Sequence, residues 1–444
     1  MINRYMDTEY RIQRIQINKN HLYYDDCITS CTNSKNVRNK ALYKQRQFIF
    51  NNTKVLSIDD NTYINNRKIQ KSFLTNTDLY HLMKKEPEFN ITNTKIAKQT
   101  LIEIEESMKS IITKWKKGEK ASPPAYSKKY ATTTFPNEAI SVVNKNGYKL
   151  SGTNIFIKFD DRNAIREVKI IPFDNYFEIH IVYKVNMPNI LPDNGRYCGG
   201  DLGVNLIIAL ASNVVGVNPL LINGGEIKSI NQYYNKRIAE LKSKLPKDVK
   251  TSKRIHDLWR RRNNKITNYL HHVSCLVVDY CKTHNLNRIV IGKNFGWKIG
   301  INMGRKNNQN FAYIPHAKLI DYIVYKANDV GIAVSTMEES YTSKCSFLDK
   351  EDLRHQDKYI GRRIHRGLFK SNNDKFIHAD INGSLNILRK STGYDVFDSD
   401  LSKYIRSPMK LNPLKRILKD NPLTIWRLQP VALVVENQPK RNIV

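Results

Sequence analysis

The sequence predicts a chain in two parts, β followed by α/β. A β module interrupted by a helical insertion fills roughly the first 195 residues, and an α/β domain follows. Three observations predict this. Strand-like runs stand on both sides of a helical stretch in the first part. Short apolar runs alternate with long basic helical stretches in the second. Two aspartates also stand in short apolar contexts, in Gly199-Gly200-Asp201-Leu202-Gly203-Val204-Asn205 and in His378-Ala379-Asp380-Ile381-Asn382-Gly383. A carboxylate in such surroundings is costly unless something cationic neutralises it.

The elements follow in order. Residues 8–17 mix polar and apolar positions with alternation clearest at the end, which predicts a strand with a basic outer face. From about Ser34 to Lys120 the pattern is helical, with Ile96, Thr100, Ile104 and Met108 at helical spacing, and Pro123-Pro124 breaks it. From Ile140 to Gly195 strands return, for example Asn154–Phe159 and Tyr176–Tyr183. Asp201 opens a strand that runs on through Leu206–Ala211. Lys228 to Asn285 reads as two basic helices broken near Pro246. Arg288–Gly292 is a short buried strand, Lys318–Val330 a helix, and Ile332–Thr336 a further strand. Asp380 precedes a helix from Asn382 to Lys390. Beyond Thr392 there is no strong pattern, and Pro408, Pro413, Pro422, Pro430 and Pro439 predict an irregular tail.

The chain's 444 residues suit two or three domains. Lys plus Arg total 73 against 41 Asp plus Glu, a net charge of +32 spread along the whole chain. A charge that large repels itself unless a polyanion offsets it, which points to nucleic acid. No apolar run approaches the ~18 residues of a spanning helix, so a membrane partner is not expected. Met1–Asp7 lacks the apolar core of a signal peptide, and none is expected. Cys27, Cys31, Cys198, Cys275, Cys281 and Cys345 contain no Cys-x-x-Cys pair and read as free thiols of a reducing compartment.

Converging carboxylates in so basic a protein suggest a divalent metal site acting on a phosphodiester. Two-metal hydrolysis needs several carboxylates around cations ~3.5–4 Å apart, and magnesium takes hard oxygen ligands. An RNase H-like fold supplies them from a central strand, an adjacent strand and a late helix. Asp201 suits the first position and Asp380 the last. Taken singly, each has a bland alternative: Asp201 a turn residue, Asp380 an N-cap. The middle carboxylate is Glu338 or Glu339. Glu338 shares strand parity with Ile332, Val334 and Thr336, so the two candidates face opposite ways. Arg260, Arg261 and Arg262 on a predicted helix are candidates for phosphate contact.

These blocks resemble a known family. Asp201–Asn205, Tyr341-Thr342-Ser343-Lys344-Cys345-Ser346 and Asp380-Ile381-Asn382-Gly383-Ser384-Leu385-Asn386-Ile387 are similar to the three blocks of the RuvC domain of TnpB/OrfB proteins, transposon-encoded relatives of type V CRISPR effectors. Ile291–Lys298, with Glu338–Lys344, resembles the subgroup that includes the Fanzor proteins of eukaryotes and giant viruses. In that subgroup the middle glutamate has moved from the Gly292 region to the Glu-Ser-Tyr-Thr-Ser block, which favours Glu339 over Glu338.

The resemblance implies an RNA-guided DNA endonuclease with a guide RNA and target DNA as partners. It implies two magnesium ions, with manganese as the alternative, on Asp201, Glu339 and Asp380. It divides the chain into a β-barrel wedge module (1–33 and 136–195) with a helical recognition insertion (34–135). An RNase H-like RuvC domain (196–341 and 377–392), a basic insert (342–376) and the tail (393–444) complete it. Many relatives carry a four-cysteine zinc ribbon in the insert. Here Cys345 stands alone, so zinc is not expected, and Arg362, Arg363 and Arg366 make the insert basic. Lys298 and Lys344 join the expected nucleic-acid contacts. The competing readings are a catalytically inactive RNA-guided DNA-binding protein and a transposase accessory protein.

Overall fold

The computed structural model describes residues 8–50, 73–144, 147–159, 164–293, 314–398, 401–402, 405 and 408–414. The chain parts into two compact units between Asn186 and Met187.

In the first unit, β1 (Thr8–Ile17) pairs along its whole length with β7 (Phe177–Asn186). The alternation Phe177, Ile179, Ile181 puts every second side chain in the core. With β6 (Ile165–Pro172) and β2 (Thr133–Pro136) these strands form an antiparallel sheet in the order β1-β7-β6-β2. A second antiparallel sheet joins β3 (Ile140–Asn144), β4 (Gly147–Leu150) and β5 (Phe156–Lys158). The strands of the expected barrel are thus, among the described residues, two sheets sharing one core of Phe135, Tyr148, Ile157, Val168, Ile179 and their neighbours.

Between β1 and β2 the chain is helical: α1 (Tyr24–Phe50), α2 (Asn76–Met83), α3 (Pro87–Ile91) and α4 (Thr94–Lys116). The spacing Ile96, Thr100, Ile104, Met108 is the buried stripe of α4. Each fully buried apolar side chain there contributes about 1.5–3 kcal/mol. Asn93 caps α4 by accepting from the Lys95 N–H. Cys27 and Cys31 lie on the buried side of α1, where the Cys31 thiol faces the Ile170 carbonyl and the Thr133 hydroxyl.

The second unit is built on a six-stranded sheet. Its strands are β8 (Tyr197–Leu202), β9 (Leu206–Ser212), β10 (Leu220–Asn223), β11 (Arg288–Gly292), β12 (Ala333–Met337) and β16 (Met409–Leu411), in the order β12-β11-β8-β9-β10-β16. β8, β9 and β10 are antiparallel, whereas β11 runs parallel to β8 and β12 parallel to β11. The continuous apolar runs of β9 and β11 follow from burial on both faces. One face carries α5 (Gly225–Lys242), α6 (Lys253–Thr283) and α7 (His316–Asn328) over a large aliphatic core. The other carries α8 (Ala379–Thr392), buried over almost its whole length.

α8 lies directly on β8. A Cβ at Gly199 would collide with the Ser384 carbonyl, and the Ser384 hydroxyl donates to the Gly199 carbonyl at 2.7 Å. Between β12 and α8, the strands β13 (Arg362–His365), β14 (Leu368–Lys370) and β15 (Phe376–Ile377) form a small antiparallel sheet.

Two expectations are corrected here. The region after Thr392 is not wholly irregular, because β16 adds an edge strand beside β10 and Leu401 and Ile405 are buried. Three residues between Pro408 and Pro413 are too few to show a period. Asp380 does not precede its helix but lies in its first turn, and His378 is the N-cap, accepting from the Asp380 N–H at 3.3 Å.

Candidate active site

β8 ends at Asp201-Leu202, and α8 crosses it with its first turn beside Asp201. A Cβ at Gly383 would lie 2.7 Å from Asp201 Oδ2, so a larger residue there would push into the carboxylate. Asp201 keeps a partial opening to solvent. Even so, loss of water around it holds its carboxyl well above the usual carboxylate range, and the charges of Glu339 and Asp380 push in the same direction. Carboxylates from two other parts of the chain therefore bear on Asp201.

Glu339 follows β12. Its side chain reaches towards the end of β11, where a Cβ at Gly292 would collide with the carboxylate and lie 2.7 Å from Cγ. Burial and the neighbouring Glu338 push its carboxyl up to about 7. Glu338 has the opposite circumstances. It is exposed, pairs with Lys390 Nζ at 2.7 Å and accepts from the Ser340 N–H and hydroxyl. Lys390, first through its hydrogen bond, lowers the Glu338 carboxyl.

The turn after Glu339 is built by α8. Asn382 accepts from the Phe347 N–H and donates to the Cys345 carbonyl at 2.8 Å. Asn386, one turn on, donates to the Thr342 and Cys345 carbonyls at 2.9 and 2.7 Å. The Thr342 hydroxyl in turn donates to the Glu339 carbonyl at 2.8 Å. Tyr341 sits at φ +67, a left-handed conformation unusual for a bulky residue. Spacing alone did not reveal this tie, because the asparagines of the last block act on the middle block through backbone carbonyls.

The insert brings one cation to the carboxylates. Arg363 Nη2 on β13 donates to Asp380 Oδ1 at 3.3 Å, and its charge also opposes the upward shift of Asp201. The insert is anchored by Glu351, a buried carboxylate that accepts from the Ser346 N–H at 2.7 Å and the Ile360 N–H at 2.8 Å.

Among the described residues no three Asp, Glu, His or Cys side chains close around a point as a ready cation cage. The chemistry of the donor set nevertheless suits a hard divalent cation: Asp201 and Glu339 are desolvated carboxylates, and added positive charge relieves the repulsion that Glu339 and Asp380 exert on Asp201.

The other candidates divide. Arg362, Arg366 and Lys344 are exposed, as is Arg261. Arg260 is half-buried beside Asp257. Arg262 is corrected: it is buried, donates to Asn231 on α5 at 2.9 Å and lies over the Trp259 ring, so it serves helix packing. Lys298 lies outside the described residues. Among the described residues no helix is long and apolar enough to cross a membrane.

Residues 180–298 match the family described as "Probable transposase" (OrfB_IS605), and residues 316–387 match the family described as "Cas12f1-like, TNB domain". The TnpB-like protein ORF457 of Acidianus two-tailed virus is 25% identical over 215 residues, 46% of this chain and 43% of that protein. The chain thus matches less than half of that relative's length. Among solved structures, a Cas12f1–sgRNA–target DNA complex is similar at a TM-score of 0.35 and 14% identity, over 85% of this chain and 98% of that one. The mini RNA-guided endonuclease Cas_phi3 is similar at a TM-score of 0.39 and 9% identity, over 86% and 92%. Two successive family matches span the segments that hold Asp201 and Asp380, and with the TnpB-like viral relative they make this part of the chain similar to the TnpB/OrfB proteins.

Proposed function

We propose that this protein is an RNA-guided DNA endonuclease of the Fanzor-like subgroup, cleaving DNA by metal-dependent phosphodiester hydrolysis at targets paired with a guide RNA. The observation that carries the reading is that Glu339, after an adjacent strand, and Asp380, at the start of a late helix, both bear by their charge on Asp201 of a central strand, where the helix packs against it at Gly383. The strand order, with β8 at its centre, agrees with an RNase H-like RuvC domain.

Asp201, Glu339 and Asp380 would hold the cations, magnesium or manganese. Bound there, such ions lower the pKa of the attacking water and neutralise charge on the phosphate. The chain's own residues set up the rest. Asn382 and Asn386 hold the turn that aims Glu339, and the room at Gly292 admits its carboxylate. Arg363 offers a guanidinium beside Asp380, where it can meet a phosphate. Glu338 is the salt-bridge partner of Lys390 and takes no part in the site.

Sequence is read by base pairing in this scheme, and the protein holds backbone. The +32 charge suits a long RNA–DNA duplex. The exposed Arg261, Lys344, Arg362 and Arg366 are proposed phosphate contacts. The test is co-purification: the chain is expressed with its flanking genomic sequence and the bound RNA is sequenced. A defined RNA ending in variable guide sequence is expected. Protein free of RNA would overturn the reading.

A further inference from the structure

Lys326 is only 4% exposed, and no carboxylate of the described residues lies within ion-pair distance of it. Its Nζ instead donates to three groups on α6: the His271 carbonyl at 2.9 Å, the Ser274 hydroxyl at 2.7 Å and the Cys275 thiol at 3.0 Å. Asp279 and Asp329 act on it only through space. The catalytic proposal uses none of these groups. Cys275 is partly open to solvent, whereas Cys198 and Cys281 in the same unit are fully buried. An amine and an accessible thiol are thus held in contact, one on α7 and one on α6.

We propose that Cys275 and Lys326 form a covalent sulfenamide bridge, Sγ to Nζ, when the protein meets hydrogen peroxide. In the first step the Cys275 thiol attacks peroxide: an S–O bond forms, the O–O bond breaks, sulfur is oxidised by two electrons, and one water leaves with the cysteine as sulfenic acid. In the second, the neutral Lys326 amine attacks that sulfur: an N–S bond forms, the S–O bond breaks, and the hydroxyl leaves as water with a proton from the amine. Sulfenic acids condense in this way with a nearby nitrogen. Burial favours the attacking form, since it holds the Lys326 amine below the usual lysine range. The product ties α7 to α6 and is reversed by thiols.

The test uses the full chain. It is treated with peroxide, digested without reductant and mapped by mass spectrometry. The expected product is a linked pair of peptides carrying residues 275 and 326, lighter by two hydrogens than the two together and released by dithiothreitol. Cys275→Ser and Lys326→Arg should each abolish it. Because Lys326→Arg disturbs a packed helix pair, the wild-type map decides alone. Cys275 recovered as thiol, as a dimedone-trapped sulfenic acid or as sulfinic acid, with Lys326 unlinked, would overturn the proposal.

Discussion

Glu338 and Glu339 are neighbours in sequence and opposites in circumstance. Glu338 shares the parity of Ile332, Val334 and Thr336, but the pair lies beyond the last residue of β12, Met337, where alternation no longer applies. Glu338 turns to solvent and Lys390, and Glu339 turns inward beside Gly292. Glu339→Ala should therefore lose cleavage by several orders of magnitude, and Glu338→Ala by no more than a few-fold, in single-turnover assays on one substrate. Equal losses, or the reverse ranking, would move the middle ligand. Both aspartates were legible in the sequence because each sits in a short apolar block with small neighbours. The roles of Asn382 and Asn386 were not, because a hydrogen bond to a backbone carbonyl leaves no mark in spacing.

At the scale of elements, three adjacent arginines of α6 show how far a charge run can be read. Arg261 faces solvent and Arg262 faces α5. Arg262→Ala strands the Asn231 amide and removes buried volume, which should cost about 1–3 kcal/mol in a melting experiment and leave the RNA affinity of folded protein unchanged. Arg261→Ala should do the reverse, with stability within about 0.5 kcal/mol and weaker RNA binding. α4 offers a pH test. Burial raises the Glu103 carboxyl above its ordinary range, against the opposing Thr134 hydroxyl hydrogen bond at 2.6 Å and the Lys169 and Arg38 charges, while Glu167 adds to the rise. Between the unfolded and the higher folded value the native state binds more protons, so this group's contribution to stability falls as pH rises through that window. Glu103→Gln keeps an acceptor for Thr134 and should flatten that fall. Melting curves with identical pH slopes in both proteins would contradict it.

On the scale of the whole molecule, the order β, helices, β, then α/β was readable because each part carries its own period: alternation in β7, a four-residue repeat in α4, unbroken apolar runs in β9 and β11. What the periods could not supply was closure. The barrel expected of the first unit is two sheets in the described residues, and β16 pairs with β10 from nearly two hundred residues away. The charge of +32 spans both units, as a polyanion contacted along its length requires. Guided cleavage tests that polyanion and the carboxylates together: protein loaded with its RNA, a target matching the guide and a mismatched control, with magnesium or with chelator, in wild type and Asp380→Ala. Wild type should cut the matched target only, and only with magnesium, and Asp380→Ala should not cut despite equal RNA binding. Guide-dependent cutting that persists in Asp380→Ala, or in chelator, would contradict the proposed function.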